Sequence, residues 1–362
     1  MTRSWDDPHH DLTRHPRHHP ADAALTPWPL RPELRRRPWG GTGLDARWPG
    51  AGAGREPGVE PIGEAWLAGP DTLVAAGGDA GTRLAELAGR HGRALLGTAP
   101  WARYGDRFPL LVKLLDAAAP LSLQVHPDDA YARRHEAASG HLGKTEAWWV
   151  LDAAPCAMVW WGFRRPTGRA EVAAAIADGT LAGLLRRLPV APGDVVVNPA
   201  GTVHALGAGL TVYEVQQASD LTYRLDDHGR VGADGRPRPL HVEAALAVAA
   251  YTPGASPAPA PIERGAGRTE LARTDAFVLE AVTGDTDAGG PARTWRVGGG
   301  SFELLTHLAP PAGDAGRLTW AGGSVLLAPN ATWLLPAGLG DVRLAGGTTY
   351  ARAWMPDARA AS

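Results

Sequence analysis

Short apolar runs punctuated by Gly, Pro and Asp fill the middle of the chain. PLLVKLL (109–115), LSLQVH (121–126), TEAWWVL (145–151), AMVWWGF (157–163), DVVVNP (194–199) and TVYEVQQ (211–217) have the length and composition of strands. Helical segments interrupt them. Residues 80–97 predict a short helix or helix pair, with Leu84, Leu87, Leu95 and Leu96 apolar and glycines between. PDDAYARRHEAA (127–138) opens with acidic residues that suit a helix N-terminus. Residues 169–188 predict two short helices broken at Gly179, and HVEAALAVA (241–249) predicts another.

The stretch 251–268 is rich in Pro, Ala and Gly and reads as a linker. Beyond it, FELLTHL and SVLLAPN resume the strand pattern of a smaller β region. The first 24 residues are polar and hold five of the 13 histidines. They carry too little apolar surface to fold alone, so a disordered tail is favoured over a metal-scavenging segment. The expected organisation is a tail over 1–24, a larger β domain over 25–250, a linker over 251–268 and a second β domain over 269–362.

Strand alternation sorts the polar side chains. In LSLQVH, Leu121, Leu123 and Val125 share one face, and Ser122, Gln124 and His126 share the other. Amide and imidazole are unusual choices for a face that only meets water. In TEAWWVL, Glu146 shares its face with Trp148 and Val150. A carboxylate so placed is partly buried and needs a partner, either a metal ion or an Arg or Lys. In PGDVVVNPAGTVHALGAG (192–209), Pro199 ends a strand and Gly201 permits a tight turn that returns His204 inward. A lone histidine in a β domain is more often a hydrogen-bonded core residue; the strand–turn–His arrangement favours a ligand.

Gln124, His126, Glu146 and His204 together offer two imidazoles, one carboxylate and one amide oxygen. Such a set, without thiolate, suits Zn²⁺ and leaves Mn²⁺, Fe²⁺, Co²⁺ and Ni²⁺ open; an added water gives the open position of a catalytic site. Further on, Glu214 and Gln216 share a strand face. Arg224 lies among Tyr223, Asp226 and Asp227, where an ion pair is as good a reading as a role in the site.

Bulk properties narrow the classes. A net charge of −2 gives no electrostatic case for nucleic-acid or membrane partners. The single cysteine, Cys156, excludes an internal disulfide framework and a thiolate zinc cage, and fits a reducing, cytoplasmic compartment. No apolar run has the length of a membrane span or a signal peptide core. Among 36 basic residues only Lys113 and Lys144 are lysine, and both fall inside the block that holds the candidate ligands. A structural ion pair is the expected role for Lys113; Lys144 is a candidate for the site itself.

FPLLVKLLDAAAPLSLQVHPDD, GKTEAWWVL, PAGTVHALG and YEVQQASDLTYRLDD, in this order and spacing, resemble the motif series of the type I mannose-6-phosphate isomerases (phosphomannose isomerases). RPWGG (37–41) and IGEAW (62–66) are similar to that family's N-terminal signatures. The resemblance runs from about residue 28 to about residue 250 and weakens beyond. It implies a mainly β protein: a cupin jelly-roll catalytic domain with short helices, and a second, smaller β domain. It also implies one Zn²⁺ per subunit, held by Gln124, His126, Glu146 and His204, with Arg224, Ser122 and Lys144 matching the family's active-site arginine, serine and lysine. Only about 30 residues separate Phe163 from Pro192, which leaves no room for a large helical insertion and implies the compact bacterial form. A general cupin motif carries H-x-H followed closely by Glu. Here Gln124 takes the first position and Glu146 lies far downstream, which argues against a cupin dioxygenase.

The implied reaction interconverts D-mannose 6-phosphate and D-fructose 6-phosphate through a cis-enediol. It needs a base to move a proton between C1 and C2, an electrophile for the developing negative charge, and an anchor for phosphate. No glycine-rich phosphate loop is present, so Arg224 and Lys144, with Ser122 as donor, are the expected substrate-binding groups. Glu214, Lys144 with a lowered pKa, or a water on the metal are the candidate proton carriers. A monomer or weak homodimer is expected. The competing reading is a non-catalytic, metal-binding cupin that senses a sugar phosphate.

Overall fold

The strand Leu110–Ala117 is buried at every position. Leu110, Val112 and Leu114 enter one core; Leu115 and Ala117 enter another. A strand covered on both faces reads as a continuous apolar run, and Lys113 within it therefore needs a partner. In this computed structural model, which describes residues 25–48, 59–231, 235–284, 293–310 and 312–357, that strand is central to the architecture. The tail expected over 1–24 lies outside the described residues.

Among the described residues, four antiparallel sheets form two sandwiches. A six-stranded sheet runs in the order Val195–Asn198, Glu146–Ala153, Leu210–Gln217, Leu110–Ala117, Ile62–Ala68 and Glu33–Arg36. A five-stranded sheet runs Tyr223–Asp226, Leu123–Val125, His204–Leu206, Met158–Phe163 and Leu185–Pro189. Leu115, Trp148, Val196 and Val212 from the first sheet share a core with Val159, Trp161 and Leu206 from the second. The second sandwich pairs an eight-stranded sheet with a four-stranded one, around Leu305, Leu335 and Tyr350 facing Trp295, Leu318 and Val342. The largest core joins the two sandwiches, with Val112, Leu114 and Val215 meeting Leu279, Leu304 and Leu334. Each such side chain contributes about 1.5–3 kcal/mol on burial. The expectation of a mainly β, cupin-type double domain is met.

Five helices fall where periodicity places them, Leu84–His91 and Arg93–Leu96 separated at Gly92, Asp129–His135, Arg169–Ala177 and Val242–Val248; Gly43–Arg47 and Thr98–Tyr104 form two more that no expected element covers. Asp128 caps the third of these by accepting from the Tyr131 amide. No described helix is long and apolar enough to cross a membrane.

Three local expectations need correction. After Gly179 there is only one 3₁₀ turn, Leu181–Leu184, and Leu185–Pro189 is a strand rather than a second helix. Pairing with Met158–Phe163 overrides its helix-favouring leucines and arginines. Part of the expected linker, Ile262–Gly265, is an edge strand paired with Arg268–Arg273. The contiguous division at 250 is also crossed. Trp28–Arg31 pairs with Thr332–Leu335, and with Leu73–Val74 beside it, so the start of the described chain completes the C-terminal sheet.

Candidate metal centre

The register sets the site. Across the five-stranded sheet, Gln124 lies opposite His204 on one side and Arg224 on the other. Across the six-stranded sheet, Glu146 lies between Asn198 and Gln216, and Glu214 lies between Lys113 and Trp148. The five-stranded sheet thus presents amide, imidazole and guanidinium, and the six-stranded sheet presents carboxylates and Lys113. Two glycines make the approach possible. Gly201 takes φ 86° in the turn after Pro199, and its amide donates to the His126 carbonyl at 2.8 Å. A Cβ at Gly143 would collide with the backbone of Asp128 and Asp129, so only glycine lets the chain pass the helix start and bring in Lys144.

His126, Glu146 and His204 converge, and their ligand atoms all lie within 4.8 Å of one another. His126 Nε2 is 3.5 Å from Glu146 Oε2, and His204 Nε2 is 3.1 Å from Glu146 Oε1. Each imidazole donates its other nitrogen to a carbonyl: His126 Nδ1 to Leu221 at 2.7 Å, His204 Nδ1 to Thr202 at 2.8 Å. Both Nε2 atoms therefore carry the lone pairs that can face a cation, and the carbonyls fix the ring planes. Burial, with Lys144 nearby, pushes the His126 pKa down to about 3, which keeps it neutral. Gln124 Nε2 is 3.5 Å from His204 Nε2, and its Oε1 is 3.5 Å from Ser122 Oγ. To offer oxygen to a shared ion, that amide turns over. Two neutral imidazoles, a carboxylate and an amide fit a divalent metal with N/O preference.

Lys144 is buried, with Nζ 2.8 Å from Glu146 Oε2 and 3.3 Å from His126 Nε2. Burial alone would lower its pKa, but the Glu146 and Glu214 carboxylates more than offset this and raise it. The expectation of a lysine with a lowered pKa is therefore not met: Lys144 is an ammonium. Burial alone would raise the Glu146 carboxyl; Lys144 beside it holds it well below the usual carboxylate range.

A cavity of about 450 Å³ opens above this centre, lined by Ser122, Gln124, Lys144, Glu214 and Arg224 among others. Glu214 accepts from Trp148 Nε1 at 2.9 Å and is paired with Lys113 at 3.1 Å. Lys113 also donates to Gln216 Oε1 at 2.8 Å, so it has the ion pair expected of it. Arg224 is half-buried and donates to the Pro239 carbonyl at 3.0 Å; its nearest carboxylate, Asp227, is 4.0 Å away. Every residue singled out for the site lies at the centre or on this cavity. The sequence reading passed over Asn198, whose Nδ2 donates to Glu146 Oε1 at 3.3 Å, and Arg238, Thr222 and Arg37 on the cavity wall. Asn198 ends the strand Val195–Asn198 and was legible as a polar end to an apolar run. Arg238 lies in a loop without periodicity.

Fold and centre together define a double-sandwich cupin with a buried two-histidine, one-glutamate metal-type site beneath an open polar cavity. Residues 28–145 match the family model for the phosphomannose isomerase type I catalytic domain. The chain is 41% identical over 230 residues to mannose-6-phosphate isomerase ManA of Bacillus subtilis, covering 62% of this chain and 69% of that one. It is 38% identical over 235 residues to a mannose-6-phosphate isomerase of Streptococcus mutans, covering 64% of this chain and 70% of that one. The crystal structure of the Bacillus subtilis mannose 6-phosphate isomerase superposes with TM-score 0.77 at 31% identity, covering 91% of this chain and 99% of that one. The chain belongs to the type I phosphomannose isomerase family.

Proposed function

We propose that this protein interconverts D-mannose 6-phosphate and D-fructose 6-phosphate through a cis-enediol, with one Zn²⁺ per chain. The convergence of Gln124, His126, Glu146 and His204 beneath a cavity that also carries Glu214, Lys144 and Arg224 supports the reading most directly. Gln124 Oε1, the two Nε2 atoms and the Glu146 carboxylate would hold the ion. When bound, it supplies a Lewis acid for negative charge on the sugar oxygens.

The chain's own groups do the rest. Glu214 lies outside the ligand set, paired with Lys113 and acting on Lys144, and Trp148 and Lys113 fix its plane. It is the base that moves the proton between C1 and C2. Lys144, a buried cation, and Ser122, a buried hydroxyl, donate to oxygens that gain charge along the way. Arg224 faces the anionic end of the substrate. A coupled assay of purified protein with mannose 6-phosphate, before and after chelation and after zinc is restored, tests this. Turnover should vanish and return with the metal. Full activity in metal-free protein would remove the zinc reading. A fully loaded protein without turnover would leave a sugar-phosphate sensor.

A further inference from the structure

The cavity wall carries a charge imbalance on one side. Lys144 is matched by Glu146, Lys113 by Glu214 and Arg37 by Glu64. On the remaining side, three guanidinium groups gather round Asp227. Arg238 binds it through two nitrogens, Nε to Oδ2 at 2.6 Å and a second to Oδ1. Arg230 donates to Oδ1 at 2.6 Å, and Arg224 Nε lies 4.0 Å from the same oxygen. Burial would raise the Asp227 carboxyl, but hydrogen bonds from Arg238 and Arg230 hold it below the usual range. Asp220, which also lines the cavity, acts on Lys144. Three cations therefore share one anion.

The surplus charge faces the cavity. Arg224 and Arg238 both line it, as do the hydroxyl residues Ser122 and Thr222; Arg230 does not. Arg224 Nε is buried without a hydrogen-bond partner among the described residues. Asp227 occupies one edge of the Arg238 fork, which fixes the guanidinium plane and leaves its remaining nitrogen without a protein partner among them. A guanidinium held by a carboxylate is a pre-organised donor for a tetrahedral dianion.

We propose that Arg238, positioned by Asp227, binds the phosphoryl group of the substrate together with Arg224. This rests on the isomerase reading and extends it to a loop residue that no strand pattern marks. Asp227 acts through Arg238 and does not touch the substrate.

The test uses the zinc-loaded full chain. Steady-state kinetics with mannose 6-phosphate give KM and kcat, and inorganic phosphate serves as competitive inhibitor. In Arg238→Ala, KM and the inhibition constant for inorganic phosphate should both rise about tenfold or more, with kcat falling less. Arg238→Lys should recover part of both, and Asp227→Asn should raise both by a smaller factor. Unchanged constants in Arg238→Ala would overturn the proposal. If Arg238→Ala does not fold, Arg238→Lys and Arg238→Gln are read against the same two constants. Thermal unfolding with added phosphate separates this proposal from the isomerase reading. Should the wild-type protein fail to turn over the sugar, phosphate protection lost in the Arg238 variants would still support the anion site, and equal protection would refute it.

Discussion

In the second sandwich, Arg352 lies buried between Glu280 and Glu303, 2.7 Å from one and 2.6 Å from the other. Trp295 Nε1 donates to Glu303 at 2.9 Å, and the Trp354 ring lies 4.2 Å from the guanidinium. In the first sandwich, Lys144, Glu146, His126 and His204 are as deeply buried, but their hydrogen-bonding capacity converges on one point below an open cavity. Both regions belong to β sandwiches of the same general plan. One closes its charges on each other; the other aims them at a common point beneath the cavity. Burial of charge alone therefore does not mark a site. The distinguishing feature is donor atoms that share a target and leave a path to it.

Removing a residue from each centre should separate the two most strongly. His204→Ala should lose bound zinc and lower turnover about a thousandfold or more, while far-ultraviolet circular dichroism and the unfolding transition stay those of a folded β protein. Metal content at the wild-type level in that variant would show that His204 is a core histidine. Arg352→Met should do the reverse. It leaves Glu280 and Glu303 buried without their cation and should cost about 3–5 kcal/mol in urea unfolding. Zinc stoichiometry and turnover per folded molecule should not change. A drop in metal content there would mean that the sandwiches are coupled more tightly than their separate polar clusters indicate.

Lys144→Arg gives a finer contrast. In a closed cluster such as that of Arg352, a planar guanidinium between carboxylates serves well. Beside Glu146 and His126 the space is filled by a compact ammonium at 2.8 and 3.3 Å, and a guanidinium would have to displace a ligand. Turnover should fall about tenfold to a hundredfold, with zinc affinity also reduced. Full activity would make the retention of lysine in an arginine-rich chain incidental.

The sequence made the first centre readable because alternation exposes a polar face within an apolar strand. Ser122, Gln124 and His126 stood out against Leu121, Leu123 and Val125, and the turn at Pro199 to Gly201 showed that His204 returns inward. The second cluster left no such mark, since Glu280, Glu303 and Arg352 lie far apart in the chain and only the pairing of Val278–Thr283 and Glu303–His307 with Thr349–Trp354 brings them together. The same holds for Trp28–Arg31, whose partner strand begins some three hundred residues later. Long-range pairing has no local signature, and a loop arginine such as Arg238 gains its surroundings only from Asp227.

His307 offers the smallest and most specific contrast with the first centre's histidines. It is fully buried, donates Nδ1 to the Leu327 carbonyl at 3.0 Å and stacks on Tyr350 at 4.4 Å, but its Nε2 has no partner among the described residues. Burial lowers its pKa below the usual histidine value. The unfolded chain then binds a proton near pH 6.5 that the folded chain refuses, so stability is full above that pH and falls as the pH drops towards the folded value. One such group changes stability by at most about 1.4 kcal/mol per pH unit. Urea midpoints of zinc-loaded protein between pH 7.5 and 5.5 should therefore decline less steeply in His307→Gln than in the wild type, with equal metal content. Parallel slopes would mean that His307 accepts its proton in the folded state, unlike His126, which burial keeps neutral.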